Sequence, residues 1–499
     1  MSTSVTVHDS VTEQARAFLA VEQHHHIIDG KSTPSQDGST FDTVDPSTEA
    51  VLGKVAYGTA ADVDLAVQAA RHAFQTGSPW RRMAAAERSL LLGRLADLVE
   101  SHADELADLE SLDNGKPRRF ARQVDVPGAI ANLRYHVGTP ARIQGRTLPV
   151  RGKDVFCYTT REPVGVCGQI VPWNFPLVMA VWKIAPALAA GCTVVLKPAE
   201  QTPLTAIRLG QLALEAGIPP GVLNVVAGDG ETGKALVAHP GVDKIAFTGS
   251  TAVGRAIAER AGRDLKSVTL ELGGKSPLVV MPDADLDTVV KRAFAGIYFN
   301  SGQVCSASSR LLVHRSIFDQ VVEGIAEKAR TSVVGGAFDD DAYLGPLVSQ
   351  DQHARVAGYI ESGRKSAELV AGGRTDSGRA GYFVDPTLFT TTDDNAEIVR
   401  EEIFGPVLVA QPYESVEEVA ERANDTEYGL AAGVFTQSLA SAHKFAALLR
   451  AGSVYVNCWG LGDPAAPFGG FGASGIGREH GEEGLSAYLE PKSTFIQFS

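Results

Sequence analysis

The chain of 499 residues is 44% hydrophobic and 21% charged, which is typical of a globular protein with two or three domains. Its formal net charge of −14 disfavours nucleic acid and anionic membrane surfaces as partners, because binding them requires clustered Lys and Arg. Residues 1–22 lack the apolar core of a secretory signal, and no apolar run is long enough to predict a membrane span.

The cysteines and histidines of the chain indicate its cellular compartment and whether it binds a metal. The cysteines are odd in number, widely spaced and free of any C-x-x-C pair: Cys157, Cys167, Cys192, Cys305 and Cys458. This disfavours a disulfide framework or a structural zinc site, and it predicts a cytoplasmic protein. The triplet His24-His25-His26 could bind a metal, but such a triplet is more often a solvated approach to a first strand. We therefore expect no metal site.

The first part of the chain is predicted to be largely helical. Short strands are expected near residues 26–30 and 41–55. Apolar residues then recur with a period near that of a helix, which predicts helices over 60–76, 84–113 and 118–137. We identify no residue in this part with an evident chemical role.

The middle of the chain predicts a parallel sheet. Residues 146–161 read as a hairpin with a turn at 151–154. From residue 163 onward, short strands alternate with helices, which predicts a doubly wound parallel sheet that binds ligands at the carboxyl ends of its strands. The predicted strands are 164–171, 193–197, 222–227 and 244–247, and the predicted helices are 176–190, 202–215, 231–239 and 252–261.

A second alternation predicts a second α/β domain. It starts near residue 276 and includes a helix over 286–299, a strand over 309–314 and a helix over 318–333. The tail, residues 492–499, again has the pattern of a strand.

Two glycine-containing turns are candidates for binding a dinucleotide. Gly228-x-Gly230-x-x-Gly233 follows a predicted strand and opens a helix, as a phosphate-binding fingerprint does. At Gly249-Ser250, free backbone N–H groups and the helix dipole would suit a pyrophosphate, although either turn could simply join a strand to a helix. Glu200, at a predicted strand end, could accept hydrogen bonds from ribose or could be a helix N-terminal charge. A carboxylate there favours NAD over NADP.

Three residues could carry catalysis together. Cys305 lies in a flexible run of small and polar residues after a predicted helix. Glu271 ends an apolar strand, where burial would raise its pKa toward that of a useful base, unless it pairs with Lys275. Asn174 could donate to an oxyanion or could merely form a turn. A thiolate, an amide donor and a carboxylate suit addition to a carbonyl, hydride loss and hydrolysis of a thioester.

Seven motifs occur in one order along the chain and carry a family resemblance. They are Pro172-Trp173-Asn174-Phe175-Pro176, Lys197-Pro198-Ala199-Glu200, Phe247-Thr248-Gly249-Ser250, Leu270-Glu271-Leu272-Gly273-Gly274-Lys275, Gly302-Gln303-Val304-Cys305, Glu401-Glu402-Ile403-Phe404-Gly405-Pro406 and Pro467-Phe468-Gly469-Gly470. With these motifs the chain resembles the aldehyde dehydrogenase superfamily from about residue 27 to the tail. It is most similar to the NAD-dependent, hydrolytic group with broad aldehyde substrates.

The resemblance implies an architecture and an assembly. It implies two doubly wound α/β domains, a Rossmann-like cofactor domain and a catalytic domain, with a small oligomerisation hairpin. The implied NAD-binding domain comprises residues 1–143 and 164–273, the oligomerisation segments 144–163 and 489–499, and the catalytic domain 274–488. A homotetramer built as a dimer of dimers is expected, and a dimer is the alternative.

The resemblance also implies residue roles. Cys305 would be the nucleophile, Glu271 the general base, and Asn174 with the backbone N–H of Cys305 the oxyanion hole. The resemblance implies that the Gly249-Ser250 turn, and not the Gly228-x-Gly230 turn, binds the phosphates. Gly230 would lie near the adenine. The implied NAD-binding residues are Ile170, Val171, Trp173, Lys197, Glu200, Gly230, Gly249, Ser250, Val253, Leu272, Glu402 and Phe404.

The implied substrate tunnel is apolar and aromatic. Its walls would be Phe175, Met179, Trp182, Phe299, Val304, Ser306 and Phe468, which suit an uncharged aliphatic or aromatic aldehyde. Gly460 and Gly462 could widen its mouth for a substrate such as phenylacetaldehyde, whereas Trp459 would oppose this if it pointed inward. Cys458 is expected to be a small core residue. A betaine aldehyde enzyme would need more aromatic residues, and coenzyme A-acylating relatives typically lack the glutamate at 271.

Overall fold

The computed structural model describes residues 7–498, so the last residue of the predicted tail strand lies outside them. Its first large sheet has eight strands, of which the five central ones are parallel and the outer ones antiparallel. In spatial order the strands are Gly475–Ile476, Ser267–Glu271, Lys244–Thr248, Val166–Ile170, Thr193–Lys197, Leu223–Val225, His26–Ile28 and Lys31–Thr33.

Helices cover both faces of this sheet, which confirms the predicted doubly wound arrangement. Buried apolar side chains form one core on each face, because each helix directs an apolar stripe toward the strands. The helices of one face are Ala85–Ser101, Ala103–Asn114, Val126–Val137, Pro176–Ala190 and Leu204–Glu215. Those of the other are Ala60–Phe74, Gly230–Ala238 and Thr251–Arg263.

The second large sheet has seven strands, and only its first edge strand is antiparallel to its neighbour. In spatial order they are Glu368–Ala371, Thr387–Thr390, Val407–Tyr413, Arg310–His314, Pro277–Val280, Ala431–Phe435 and Ser453–Val456. Its helices are Leu286–Tyr298, Phe318–Thr331, Gln350–Ser366, Glu397–Arg400, Val416–Asn424 and Leu439–Leu448. This sheet is the predicted second α/β unit.

Two small sheets complete the fold. The predicted hairpin pairs Thr147–Leu148 with Val155–Pro163, and the tail strand Leu489–Gln497 joins it antiparallel. The other small sheet contains Gln23–His24, Val51–Ala56 and Thr40–Val44. Short helical segments lie at Glu13–Leu19, Pro79–Arg82, Arg118–Phe120, Ala121–Asp125, Pro140–Arg142, Phe299–Gly302, Arg315–Ile317, Gly472–Ser474 and Gly481–Ser486. The domain limits at 143, 163, 273 and 488 remain a prediction.

Two expectations for the first part of the chain were wrong. The single helix predicted over 84–113 is two helices, because His102 leaves the helical conformation at φ −104° and ψ 20°. The apolar period continues across this break since both helices pack on the same core. The histidine triplet is not solvated, because His24 and His26 are 3% and 0% exposed, and burial lowers the pKa of each to about 4.

Neither a metal cluster nor a membrane helix stands out in the part of the chain that the structure describes. Within residues 7–498 no three His, Cys, Asp or Glu side chains are grouped so that they could hold a metal ion. Over the same range, no helix combines the length and the apolar composition needed to cross a bilayer.

Candidate active site

The segment before Cys305 has left-handed backbone conformations at three successive residues. Asn300, Ser301 and Gly302 follow one another with φ of 50°, 54° and 74°. A Cβ at Gly302 would lie 2.0 Å from the carbonyl oxygen of Gly405, so only glycine fits there. Consecutive left-handed residues persist only when their surroundings hold them, and such strain is common at functional sites.

Buried hydrogen bonds fix this segment, so the run that the sequence presents as flexible is a rigid loop. The Gln303 Nε2 donates to the Asn300 carbonyl at 3.2 Å, and the Ser301 Oγ donates to the Gly345 carbonyl at 2.7 Å. Their side chains are at most 2% exposed, so these bonds are shielded from water. The backbone that precedes Cys305 is therefore held in one conformation.

Asn174 reaches the Cys305 loop from the first sheet. It follows the strand Val166–Ile170, is 3% exposed, and its Nδ2 donates to the Gln303 carbonyl at 3.0 Å. The Asn300 Nδ2 donates back to the Asn174 carbonyl, also at 3.0 Å. One N–H of the Asn174 amide remains for a further acceptor beside Cys305.

Glu271 is a buried carboxyl without a hydrogen-bond partner on either oxygen. It ends the strand Ser267–Glu271 and is 4% exposed. The alternative pairing with Lys275 does not form, since the Lys275 Nζ is itself without a partner. Burial raises the pKa of Glu271 well above its usual range, and the charge of Glu479 raises it further. Glu271 therefore favours the protonated form more than an exposed glutamate does.

A buried ion pair lies close to Glu271. The Lys183 ammonium donates to the Glu479 carboxylate, and the two side chains are 1% and 4% exposed. Lys183 opposes the effect of Glu479 on the pKa of Glu271. The sequence analysis did not identify either residue.

The Cys305 thiol is held in its neutral form. Burial raises its pKa to about 12, and the carboxyl groups of Glu402 and Glu271 contribute to the rise. The backbone N–H groups of Ser306 and Cys305 oppose this rise. The Cys305 thiol therefore favours its neutral form more than an exposed cysteine does.

Three glycines make this close packing possible. A Cβ at Gly273 would lie 2.2 Å from Glu402 Oε2, and one at Gly274 would lie 2.6 Å from the Cys305 carbonyl oxygen. The Gly274 N–H donates to Glu402 Oε1 at 3.0 Å. At Gly469, which has φ +153°, a Cβ would lie 2.6 Å from a carboxylate oxygen of Glu271. Side chains at these positions would displace the candidate catalytic groups.

The predicted cofactor residues meet at one edge of the eight-stranded sheet. Four neighbouring parallel strands end there, and the residues that end or follow them are Ile170, Val171, Lys197, Gly249, Ser250 and Leu272. Lys197 is 4% exposed, and its Nζ lies 3.5 Å from the carboxylate of Glu200, whose side chain is 41% exposed. This edge offers a buried cation beside an accessible carboxylate.

The two candidate phosphate turns differ in structure. Ser250 precedes the helix Thr251–Arg263, and its Oγ accepts from the Val253 N–H at 3.4 Å. Val253 is 49% exposed, so an apolar surface lies at this helix start. At the other turn, the Asp229 side chain caps the helix Gly230–Ala238, and a Cβ at Gly230 would meet no atom within 4 Å. A carboxylate at that helix start disfavours a phosphate there.

Glu402 and Phe404 approach the site from the second sheet's side. Burial raises the pKa of Glu402 to about 7. Phe404 has φ 60°, and its ring meets the edge of Trp173 with 5.2 Å between ring centroids. Phe404 thus contacts the segment that carries Asn174, while Glu402 lies against Gly273 and Gly274.

The predicted tunnel walls form two aromatic groups. Phe175 stacks on Phe299 with 6.2 Å between ring centroids, and Phe120 meets Phe299 edge-on at 5.2 Å. Trp182 meets Phe468 at 5.5 Å. The remaining predicted residues are Met179, which is 8% exposed, and Val304 and Ser306, which flank Cys305 and are half-buried.

The segment after the strand Ser453–Val456 leaves space at its glycines. Trp459 is 9% exposed and packs in the core of the second sheet, where a Cβ at Gly433 would lie 2.7 Å from its ring. A Cβ at Gly460 or Gly462 would meet no atom within 4 Å. Cys458 is half-buried, so the expectation that it is a core residue was wrong; it follows the strand end, where the chain returns toward solvent.

Comparison with known proteins decides the family. The family model described as "Aldehyde dehydrogenase family" matches residues 33–494. The chain belongs to this family. The human mitochondrial aldehyde dehydrogenase is 50% identical over 461 residues, which is 92% of this chain and 89% of that protein. The fold of two doubly wound α/β domains is likewise confirmed.

Solved aldehyde dehydrogenase structures superpose closely on this chain. An NAD+ complex of an aldehyde dehydrogenase from Bacillus cereus has a TM-score of 0.96 and 48% identity, with 100% of both chains covered. The P. syringae indole-3-acetaldehyde dehydrogenase, in complex with NAD+ and IAA, has a TM-score of 0.94 and 44% identity, with 97% of this chain and 99% of that chain covered.

Two further residues of this aldehyde dehydrogenase border the aromatic groups and escaped the sequence analysis. Phe120 lies in a stretch whose helical pattern gave no sign of a pocket. The ring of His480 lies 3.9 Å from that of Trp182, and His480 has φ 62°. Only the position of His480 directly after Glu479 and near the Phe468 motif could have drawn attention to it.

Proposed function

We propose that this protein oxidises an uncharged aliphatic or aromatic aldehyde to its carboxylic acid with NAD as the oxidant. One observation carries this proposal: a half-buried cysteine, an unpartnered carboxyl and an amide donor, from three separate segments, converge at one point. Cys305 would be the nucleophile, Glu271 the general base and Asn174 the oxyanion donor.

The first half of the reaction forms a carbon–sulfur bond. The Cys305 sulfur adds to the aldehyde carbon, and the thiol proton passes to Glu271, whose charge already acts on Cys305. The carbonyl oxygen becomes an alkoxide of a thiohemiacetal, which the free N–H of Asn174 and the backbone N–H of Cys305 stabilise. When NAD is bound, it supplies the acceptor for the hydride that leaves this carbon, and a thioester on Cys305 results.

The second half hydrolyses the thioester. Glu271, after releasing its first proton to solvent, takes a proton from water, and the resulting hydroxide adds to the thioester carbon. The carbon–sulfur bond then breaks, which releases the carboxylic acid, and the Cys305 sulfur takes up the proton that Glu271 removed from water. The raised pKa of Glu271 suits a group that must accept a proton near neutral pH.

The sheet edge supports NAD as the cofactor. The buried Lys197 ammonium and the accessible Glu200 carboxylate would hold the adenosine ribose, and the helix start at Ser250 would meet the pyrophosphate. Gly249 would allow the backbone to approach the pyrophosphate closely. The adenine would be bordered by Ile170, Val253 and Gly230. The nicotinamide side would be bordered by Leu272, Val171 and Trp173. Glu402 and Phe404 would hold the nicotinamide ribose. NAD+ complexes of relatives support the same choice.

The test is an absorbance assay at the NADH band over a panel of aldehydes. We expect turnover with NAD, slower turnover with NADP, and free acid as the product. The variant Cys305→Ala should abolish NADH production, and retained turnover would refute the assignment. If added coenzyme A gave acyl-CoA in place of free acid, the acylating reaction would be the correct one.

An aromatic aldehyde of the phenylacetaldehyde type is a second candidate substrate. The empty space at Gly460 and Gly462, with Trp459 packed away into the core, would leave the tunnel mouth wide. The relative that is an indole-3-acetaldehyde dehydrogenase adds support. The variant Gly462→Phe should lower kcat/KM for phenylacetaldehyde while leaving that for acetaldehyde within about threefold. Equal loss for both substrates would contradict a wide mouth.

We also propose a homotetramer in the cytoplasm. The tail strand exposes Phe495 at 65% and Ile496 at 41%, its partner strand exposes Phe156 at 40%, and Phe498 after the strand is 57% exposed. Exposed large apolar side chains on one small sheet are typical of a subunit interface. The free cysteines of the chain fit a reducing compartment. Light scattering coupled to gel filtration should give four subunits, and truncation after residue 488 should lower that number.

A further inference from the structure

Three side chains at the end of one helix converge on the segment that carries Asn174. The Asn114 Nδ2 donates to the Trp173 carbonyl at 2.7 Å, and the Lys116 Nζ donates to the Asn174 carbonyl at 3.2 Å. The Leu177 N–H donates to a carboxyl oxygen of Glu110 at 3.1 Å. Three backbone groups around Asn174 are thus held by two side chains of the helix Ala103–Asn114 and by Lys116, which follows it, in a stretch to which the sequence analysis assigned no chemistry.

This clamp, defined as Glu110, Asn114 and Lys116, is fully buried. Its members are 0%, 0% and 1% exposed. The helix Ala103–Asn114 ends at Gly115 with φ 84°, where a Cβ would lie 2.6 Å from Pro346. The reversal at Gly115 returns the chain so that Lys116 lies beside Asn114 and faces the same segment.

The charges of the clamp are balanced within the core. The Lys116 ammonium donates to the Asp125 carboxylate and lies 3.8 Å from a Glu110 oxygen. Burial raises the pKa of Glu110 well above its usual range, and Asp125 raises it further. Glu110 therefore favours the protonated form more than an exposed glutamate does, and Asp125 is the carboxylate that pairs with Lys116.

Lys116 also contacts the proposed substrate wall. Its Nζ lies over the face of Phe175 at 4.0 Å from the ring centroid. One buried ammonium therefore touches both the backbone of Asn174 and the ring that follows it. Buried ion pairs contribute little to stability on balance, so stability alone does not account for this arrangement.

We propose that Lys116, assisted by Asn114, is a positioning residue that aims the Asn174 amide at the reacting oxygen. The inference rests on the proposed function, in which Asn174 is the oxyanion donor. A displaced Asn174 backbone would carry its amide away from Cys305, and a displacement of about 1 Å can lower a rate up to about 100-fold.

A double-mutant cycle tests whether Lys116 acts through Asn174. The variants are Lys116→Met, Asn174→Ala and the combination, in the full-length enzyme with acetaldehyde and saturating NAD. Asn174→Ala should lower kcat by about 100- to 1000-fold. Lys116→Met should lower kcat by about tenfold or more with the KM for NAD unchanged, and the double variant should match Asn174→Ala within about twofold.

A matched control uses another fully buried lysine. Lys244 is 0% exposed and its Nζ donates to Thr269, within the sheet and away from Asn174. Its change to Met should combine multiplicatively with Asn174→Ala. If Lys116→Met also combines multiplicatively, the positioning role is refuted. If Asn174→Ala keeps full turnover, the proposed oxyanion donor is wrong instead.

A second cycle guards against a folding defect. Should Lys116→Met fail to fold, Asn114→Ala removes the bond to the Trp173 carbonyl and the one that the Asn114 Oδ1 accepts from the Lys116 N–H, while the Lys116 and Asp125 side chains are unchanged. Its kcat should fall about threefold to tenfold, and this loss should vanish in the Asn174→Ala background. A loss that persists there would overturn the inference.

Discussion

Replacing Glu271 by Gln tests the role of this carboxyl in both halves of the proposed reaction. The amide preserves the shape of the side chain but cannot accept a proton from water. A general base contributes about 100- to 10,000-fold, or about 3–5 kcal/mol, so steady-state kcat should fall by that factor. If another group can take the thiol proton, hydride transfer continues, and rapid mixing should show a burst of NADH close to one equivalent per Cys305.

The same variant should be more stable, and increasingly so as pH rises. Both Glu271 oxygens lack partners at 4% exposure, and the pKa is raised by burial. A raised folded-state pKa means that stability is fully present below the unfolded pKa and is lost as pH rises toward the folded value. Gln removes this loss, so the gain in the free energy of unfolding should grow by about 1–3 kcal/mol from pH 5 to pH 8. Melting temperatures measured across this range should show the same trend. A gain that is constant with pH, or unaltered turnover, would refute the reasoning.

Three other perturbations follow from the geometry. Glu479→Gln removes a charge that raises the pKa of Glu271, so the acid limb of the pH–rate profile should move to lower pH; an unmoved limb would contradict the coupling. Trp459→Ala should lower stability by about 3–5 kcal/mol, because it opens a cavity in the second core, and calorimetry should show the fall. His24 and His26 have pKa values lowered to about 4, so stability should be lost between pH 6.5 and pH 4, as melting temperatures would report.

Local patterns predicted most of the sheet that carries the cofactor edge. The helix Pro176–Ala190 and the strand Thr193–Lys197 have the predicted limits, because apolar runs, an N-terminal proline and a following glycine define them within a few residues. The same locality explains the error at His102. A one-residue break does not interrupt an apolar stripe when both helices pack on one core.

Contacts between distant segments could not be predicted from local patterns. Lys183 and Glu479 are 296 positions apart, and the local sequence around either residue does not predict a contact with the other. The helix Ala103–Asn114 is misleading for a related reason. Its apolar period predicts one buried face only, yet Glu105, Asp108, Glu110 and Asp113 are also buried because segments from elsewhere cover them.

The site suppresses charge in its resting state, and this follows from how its groups are packed. The pKa of Cys305 is raised to about 12 and that of Glu402 to about 7, and the pKa of Glu271 is raised well above its usual range. A thiolate formed early would face the carboxyl groups of Glu402 and Glu271, and like charges at short range repel strongly. Nucleophilic charge should therefore appear only as the carbon–sulfur bond forms, when the negative charge passes to an oxygen beside Asn174. The placement of that amide therefore contributes more to the reaction rate here than a permanently ionised sulfur would. For this reason the residues that hold the Asn174 segment, Asn114 and Lys116, are the ones to test.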